Sequence, residues 1–194
     1  MSAAPSGAKR MRSAPDYGDR ESLLALALSR REVQGLVLEF GVHKGATLEW
    51  IAARIEGEVH GFDSFEGLPE DWTGSRRKGR FSLGGVLPSI TAPNAVLHKG
   101  LFAETLPRFL ASHPGPVELV HIDCDLYSST HTVLTALQSR LAPGSILLFD
   151  EYFGYPGSEL HEHRAFLELT RRCALGYQYI GYASRWGSAA VRIG

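Results

Sequence analysis

The sequence predicts an α/β fold: a mostly parallel sheet covered by helices on both faces and closed by an antiparallel pair. Three observations carry this reading. Short apolar runs alternate with longer stretches of helical periodicity from residue 20 onward, the pattern a sheet buried on both faces requires. Several runs lead into glycine or aspartate, where such sheets place their loops. The last two runs, Tyr177–Ala183 and 189–193, flank only a Ser-Arg-Trp-Gly-Ser connection, which reads as an antiparallel hairpin.

Residues 1–19 are rich in Ala, Ser, Pro and Gly and lack periodicity, so they are expected to form a flexible N-terminal arm or lid. The domain proper is expected over 20–194. A helix is predicted at 20–31, with leucines at 23, 24, 26 and 28 and Asp19 as its N-cap. The run 35–40 (GLVLEF) is the first strand, and 46–55 a helix with Leu48, Ile51, Ala52 and Ile55 on one stripe. Strands follow at 59–62, 95–98, Val117–Ile122 and 145–149, with helices predicted near 104–112, 130–141 and 158–173. Residues 71–93 carry the basic run Arg76-Arg77-Lys78 and are too long for a simple connection, so an ordered excursion over the sheet edge is expected.

The 194 residues suit one domain. Basic and acidic residues nearly cancel, 20 against 21, so the surplus expected of a nucleic-acid binder is missing. No apolar run approaches the roughly 20 residues of a membrane span. Residues 1–12 lack the apolar stretch of a signal peptide. Only Cys124 and Cys173 occur, too few for a disulfide framework. A cytoplasmic protein with a small-molecule partner is the expectation, with no nucleic acid, no membrane, and a homodimer left open.

In an open parallel sheet, ligands bind beyond the carboxyl ends of the strands. The first strand ends in Glu39-Phe40-Gly41-Val42-His43-Lys44-Gly45, whose two glycines let the backbone turn tightly beside a ligand. A pyrophosphate would want a three-glycine fingerprint without an anion nearby. Here Glu39 would repel phosphate and suit a cationic ligand, such as a sulfonium or amino group, which disfavours a nicotinamide-dependent oxidoreductase. The second strand ends in Asp63, 22 positions beyond Gly41, where an acidic residue can accept both ribose hydroxyls.

The succession EFGVHKGAT, GFDSFEGLPEDW, LHKGLFAETLP, VHIDCDLYSST and LLFDEYFGYPG resembles class I S-adenosylmethionine-dependent methyltransferases. Within that class it is most similar to the macrocin-type (sugar) O-methyltransferases and their bacterial relatives, over roughly residues 33–194. The resemblance implies a Rossmann-like, seven-stranded sheet with a C-terminal antiparallel hairpin. It implies that Glu39, Gly41 and Gly45 lie at the methionine end of S-adenosylmethionine, with Asp63 at the ribose beside Ser64 and Phe65. Gly100 and Phe102 would flank the adenine, and Asp123 would also border the cofactor. In divalent-metal members, a carboxylate after the fourth strand and an acidic pair after the fifth hold magnesium; Asp123, Asp150 and Glu151 match. Glu151 departs from the usual Asp-Asp or Asp-Asn pair. The N-terminus is also short where macrocin-type enzymes carry extra helices.

Asp123 and Asp150 are thus candidate catalytic groups. His161 is a third, as a general base near the acidic pair. His161 and His163 stand two apart and would point about 200° from each other on a helix, which argues against zinc. Asp125 projects with Asp123 if the strand continues, and diverges from it if the strand ends at 123. His121 should face away from Asp123, towards the core or a helix. Cys124, between two aspartates, is no nucleophile. The expected activity is O-methylation of a small hydroxylated metabolite, a sugar or natural-product intermediate. N-methylation, and a cofactor-binding protein without transferase activity, are the alternatives.

Overall fold

The computed structural model describes residues 11–194. Seven strands form one sheet: β1 (Leu36–Phe40), β2 (Val59–Asp63), β3 (Ala95–Lys99), β4 (Val117–Ile122), β5 (Ile146–Phe149), β6 (Tyr177–Ala183) and β7 (Ser188–Ile193). Their spatial order is β3-β2-β1-β4-β5-β7-β6. The first five run parallel, and β7 pairs antiparallel with both β5 and β6. β4 and β5 are buried throughout, as near-continuous apolar strands covered on both faces must be.

Helices α1 (Arg20–Ser29) and α2 (Ala46–Ala52) cover one face, burying Leu23, Leu24, Leu48 and Ile51 against Val37, Leu119 and Leu148. Helices α3 (Phe102–Ser112), α4 (Tyr127–Leu137) and α5 (Glu162–Arg172) cover the other. Thr130, Val133, Leu134 and Leu137 of α4, and Ala165, Phe166 and Leu169 of α5, form the inward stripes. Their apolar members meet Leu38, Phe40, Val120, Leu147 and Phe149 in a single cluster. Asp19 caps α1, its carboxylate accepting from the Ser22 N–H at 2.8 Å. The helix predicted over 158–173 is split: a 3-10 turn (Ser158–Leu160) precedes α5, and the non-helical ψ of −120° at His161 interrupts the helical path.

The arm expected over 1–19 needs correcting where it is described; residues 1–10 lie outside the described residues. Residues 11–19 are docked, not loose. Asp16 bridges Tyr182 of β6, the Tyr17 N–H donates to the Tyr182 carbonyl at 2.8 Å, and the Tyr182 N–H donates to the Pro15 carbonyl at 3.0 Å. Met11 is buried in the core cluster that α3, α4 and α5 cover. Tyr17 lies so close to Gly181 that a Cβ there would come within 2.8 Å of its ring. The segment thus caps the open edge of β6, where unpaired backbone would otherwise face solvent.

Residues 64–94 contain no helix or strand but are pinned at several points. The Leu83 and Gly85 N–H groups both donate to the Phe65 carbonyl, and Leu68 exchanges backbone hydrogen bonds with Gly79 and Arg80. This ordered excursion carries Leu68 and Phe81 to the C-terminal end of the sheet, where they wall a cavity.

Candidate active site

The strand order reverses between β1 and β4, and the cavity opens beyond the carboxyl ends of these two strands. Its volume, about 590 Å³, is in the range of cofactor and metabolite sites. At one end stands the loop after β1. Gly41 has φ of +91°, and a Cβ on it would lie 1.8 Å from the Asp123 carbonyl oxygen, so only glycine lets the β1 and β4 loops close on each other.

Asp63 organises this end. Its Oδ2 accepts the N–H groups of Val42 (3.0 Å) and His43 (2.8 Å), and its Oδ1 accepts that of Phe65 (2.8 Å). Three donors on one carboxylate leave lone-pair capacity for a hydroxyl partner, and Asp63 lines the cavity beside Ser64. The residue therefore holds its own turn and also faces the cavity. Gly100, Leu101 and Phe102 form the adjoining wall.

The side of the cavity beyond β4 and β5 is acidic. Asp123, Asp125, Asp150 and Glu151 all line it. β4 ends at Ile122, yet Asp125 does not diverge from Asp123, because its backbone takes a left-handed φ of +63° that turns it back to the cavity. A non-glycine residue held there is strained by local sterics. Burial, together with Asp150, Asp125 and Glu162, pushes the Asp123 carboxyl well above the usual carboxylate range. Burial, then Glu151 and Asp150, raises Asp125 to about 7.

A cation reaches this cluster from a distant part of the chain. Arg20, the first residue of α1, places Nη1 2.8 Å from Asp150 Oδ2 and 3.8 Å from Asp123 Oδ2. Asp150 Oδ1 accepts from Ser188 Oγ at 2.9 Å, so both of its oxygens are engaged. The guanidinium also lies 5.6 Å from the centre of the Trp186 ring, another cavity-lining residue. Burial alone would lower the Arg20 pKa, but Asp150 and Asp123 more than offset it.

This arrangement bears on magnesium. Among the described residues, no group of three or more His, Cys, Asp or Glu side chains is disposed to hold a metal ion. The oxygens that would bridge one between Asp123 and Asp150 are those facing Arg20. A divalent ion there would stand against a fixed guanidinium, so the residues present do not fit the group.

Four other sequence candidates lie off the cavity wall. Glu39 is 1% exposed, and its Oε1 is 2.9 Å from His121 Nδ1. The two are direct register partners on β1 and β4, which sets them on the same face of the sheet. Burial raises the Glu39 pKa against the opposing effect of His121. Gly45 starts α2 in a left-handed conformation. Phe65 is buried, anchoring the excursion through its backbone. His161 lies behind the wall, edge-on to Trp72, with its pKa lowered by burial. Two features escaped the sequence reading. Arg20 belongs to a helix 130 positions from Asp150, and only the tertiary fold joins them. Glu162 is wholly buried, and its Oε2 accepts the Glu151 N–H at 3.3 Å. Its pKa is driven well up by burial and by Asp125 and Asp150.

The comparisons with known proteins agree with this architecture. Residues 38–152 match the family described as "Methyltransferase domain". The chain is 29% identical, over 62% of its length, to 8-demethyl-8-(2,3-dimethoxy-α-L-rhamnosyl)-tetracenomycin-C 4′-O-methyltransferase of Streptomyces olivaceus. It spans 54% of that relative, about half its length. Among solved structures it is similar to the calicheamicin methyltransferase CalS11, at 25% identity and a TM-score of 0.69, covering 98% of this chain and 86% of the other. The O-methyltransferase TomG from Streptomyces achromogenes, solved in complex with SAM, shares the fold: TM-score 0.55, 15% identity, 88% of this chain and 77% of that one. With the matched segment running from within β1 to the acidic residues after β5 and covering more than half of the chain, the chain belongs to the methyltransferase domain family.

Proposed function

We propose that the protein is an S-adenosylmethionine-dependent O-methyltransferase acting on a small hydroxylated metabolite, a sugar or natural-product intermediate, in the cytoplasm. The observation that carries this is one cavity at the β1/β4 switch point, lined by Asp63 and the glycine loop together with the carboxylates that follow β4 and β5. When bound, the cofactor supplies an electrophilic methyl on sulfur. Asp63 would accept from the ribose while holding the Gly41-Val42-His43 turn. Gly100 and Phe102 would flank the adenine, and Gly41 would let the methionine portion pass close to the backbone. Glu39 is assigned an indirect role, pairing with His121 beneath the loops that follow β1 and β4. Gly45 and Phe65 shape the loops instead of touching the ligand.

An acceptor hydroxyl must be aligned with the methyl carbon and relieved of its proton. In this reading Asp123 and Asp150 receive that hydroxyl, and His161 has no part because it lies beside Trp72 and Tyr155 and off the cavity lining. Trp186, Phe81 and Leu68 at the rim would exclude water from the displacement. The relative from Streptomyces olivaceus and CalS11 lend support on the acceptor side, since the first is named for a rhamnosyl substrate and the second, in another structure, as a TDP-rhamnose 3′-O-methyltransferase.

The test is thermal shift with S-adenosylhomocysteine against NAD, followed by transfer of labelled methyl to glycosylated and free hydroxyl acceptors. Saturation at 100 times the dissociation constant should stabilise the fold by about 2.7 kcal/mol. A shift with NAD alone would sink the reading. Binding of S-adenosylhomocysteine with label reaching only amines would replace O- by N-methylation.

A further inference from the structure

The acidic end of the cavity needs a positive charge, and the fold supplies one from its own chain. Asp123 and Asp150 end neighbouring strands, so their carboxylates converge in a half-buried site where like charges repel strongly. Arg20 Nη1 lies 2.8 Å and 3.8 Å from one oxygen of each. Resting on the methyltransferase reading above, we propose that the Arg20 guanidinium takes the place of a divalent cation in this site, as a positioning residue that sets the two carboxylates for the acceptor hydroxyl.

Several features hold it there. Asp19 caps α1 and so fixes the backbone of the next residue, Arg20. The edge-docked segment 11–19 ties that cap to β6, and the Arg185 N–H donates to the Gly18 carbonyl at 3.3 Å. The Trp186 ring flanks the guanidinium. Ser188 at the start of β7 binds the other oxygen of Asp150, leaving Oδ2 directed at Arg20. The planar guanidinium can address two carboxylates at once, whereas an ammonium is a point charge on a flexible stem. Guanidinium also exchanges neither with solvent ions nor with chelators. The rate should therefore be indifferent to EDTA, and α1 becomes part of the reaction apparatus instead of a covering helix.

The experiment uses the full chain. Binding of Mn2+, read by its electron-spin resonance signal, is measured on wild type, Arg20→Met and Arg20→Lys. S-adenosylhomocysteine affinity and steady-state methyl transfer are measured on the same samples, with and without EDTA. The expected result is negligible Mn2+ binding by wild type up to millimolar concentration, unchanged turnover in EDTA, and clear Mn2+ binding by Arg20→Met. Arg20→Met should lose at least 30-fold in kcat with S-adenosylhomocysteine affinity within threefold, and Arg20→Lys should recover part of the rate. Two results would overturn the proposal: wild type binding Mn2+ as tightly as Arg20→Met, or activity abolished by EDTA and restored by magnesium. The Mn2+ measurement needs no acceptor. A failure of the methyltransferase reading, seen as no affinity for S-adenosylhomocysteine, therefore stays distinguishable from a failure of the Arg20 assignment.

Discussion

Asp63 shows how one side chain can serve a loop and a ligand together. Three backbone N–H groups converge on it, and hydrogen bonds to a charged acceptor contribute roughly 1.5–3 kcal/mol each. Asp63→Ala is therefore expected to weaken S-adenosylhomocysteine binding by at least tenfold and to lower stability by about 2 kcal/mol, because the orphaned donors belong to the cofactor loop itself. Calorimetry and urea unfolding on the same variant test both halves. Unchanged affinity would remove Asp63 from the ribose. The sequence marks its carboxylate as a ribose contact, and the fold adds the hold on the loop after β1.

At the scale of elements, the segment before α1 departs most from expectation. Its Ala, Ser and Pro content reads as a free arm, yet Met11 enters the core and residues 15–18 extend along β6. Composition misleads here because a short edge segment is held by backbone pairing, which leaves little trace in side-chain periodicity. Deleting residues 1–19 should accordingly lower the melting temperature by several degrees as well as reduce turnover, since it uncovers the β6 edge and removes the Asp19 cap of α1. A truncated protein that melts like the full chain would show that the edge contact contributes nothing.

The whole molecule carries a second titratable group away from the cavity. His60 on β2, His98 on β3 and His113 after α3 pack around Phe109, with His60 and His98 joined at 3.2 Å and Glu58 at the margin. Burial first, then repulsion from His98 and His113 against the attraction of Glu58, lowers His60 to about 4. The unfolded chain, with an ordinary histidine near 6.5, takes up this proton before the folded one does. The contribution to stability is thus complete above about pH 6.5, and is lost as the pH falls towards 4. The buried carboxylates act in the opposite sense, because Asp123 and Glu162 are raised on folding, so the difference between proteins is the useful measure. Between pH 7.5 and pH 5 the unfolding free energy from urea titration should fall further for wild type than for His60→Gln, by an amount on the order of 2 kcal/mol. Identical pH slopes would rule the histidine cluster out.

By itself, the sequence determined where each strand lies along the chain, the hairpin at the end, the glycine loop, and the acidic residues at the ends of β2, β4 and β5. Hydrophobic period and strand-end chemistry are local properties, written within a few residues of where they act. It also carried the family motifs that imply the cofactor. Only the tertiary structure decided which acidic groups share a wall, and it did so against several local readings. The register of β1 on β4 turned Glu39 inward to His121, the left-handed backbone of Asp125 returned it to the cavity, and the packing of α1 brought Arg20 between Asp123 and Asp150. These outcomes depend on which strands neighbour one another and where a helix 130 positions away comes to rest. Charges separated by that much chain interact only after folding has closed the distance, because electrostatic energy follows separation in space and not along the sequence.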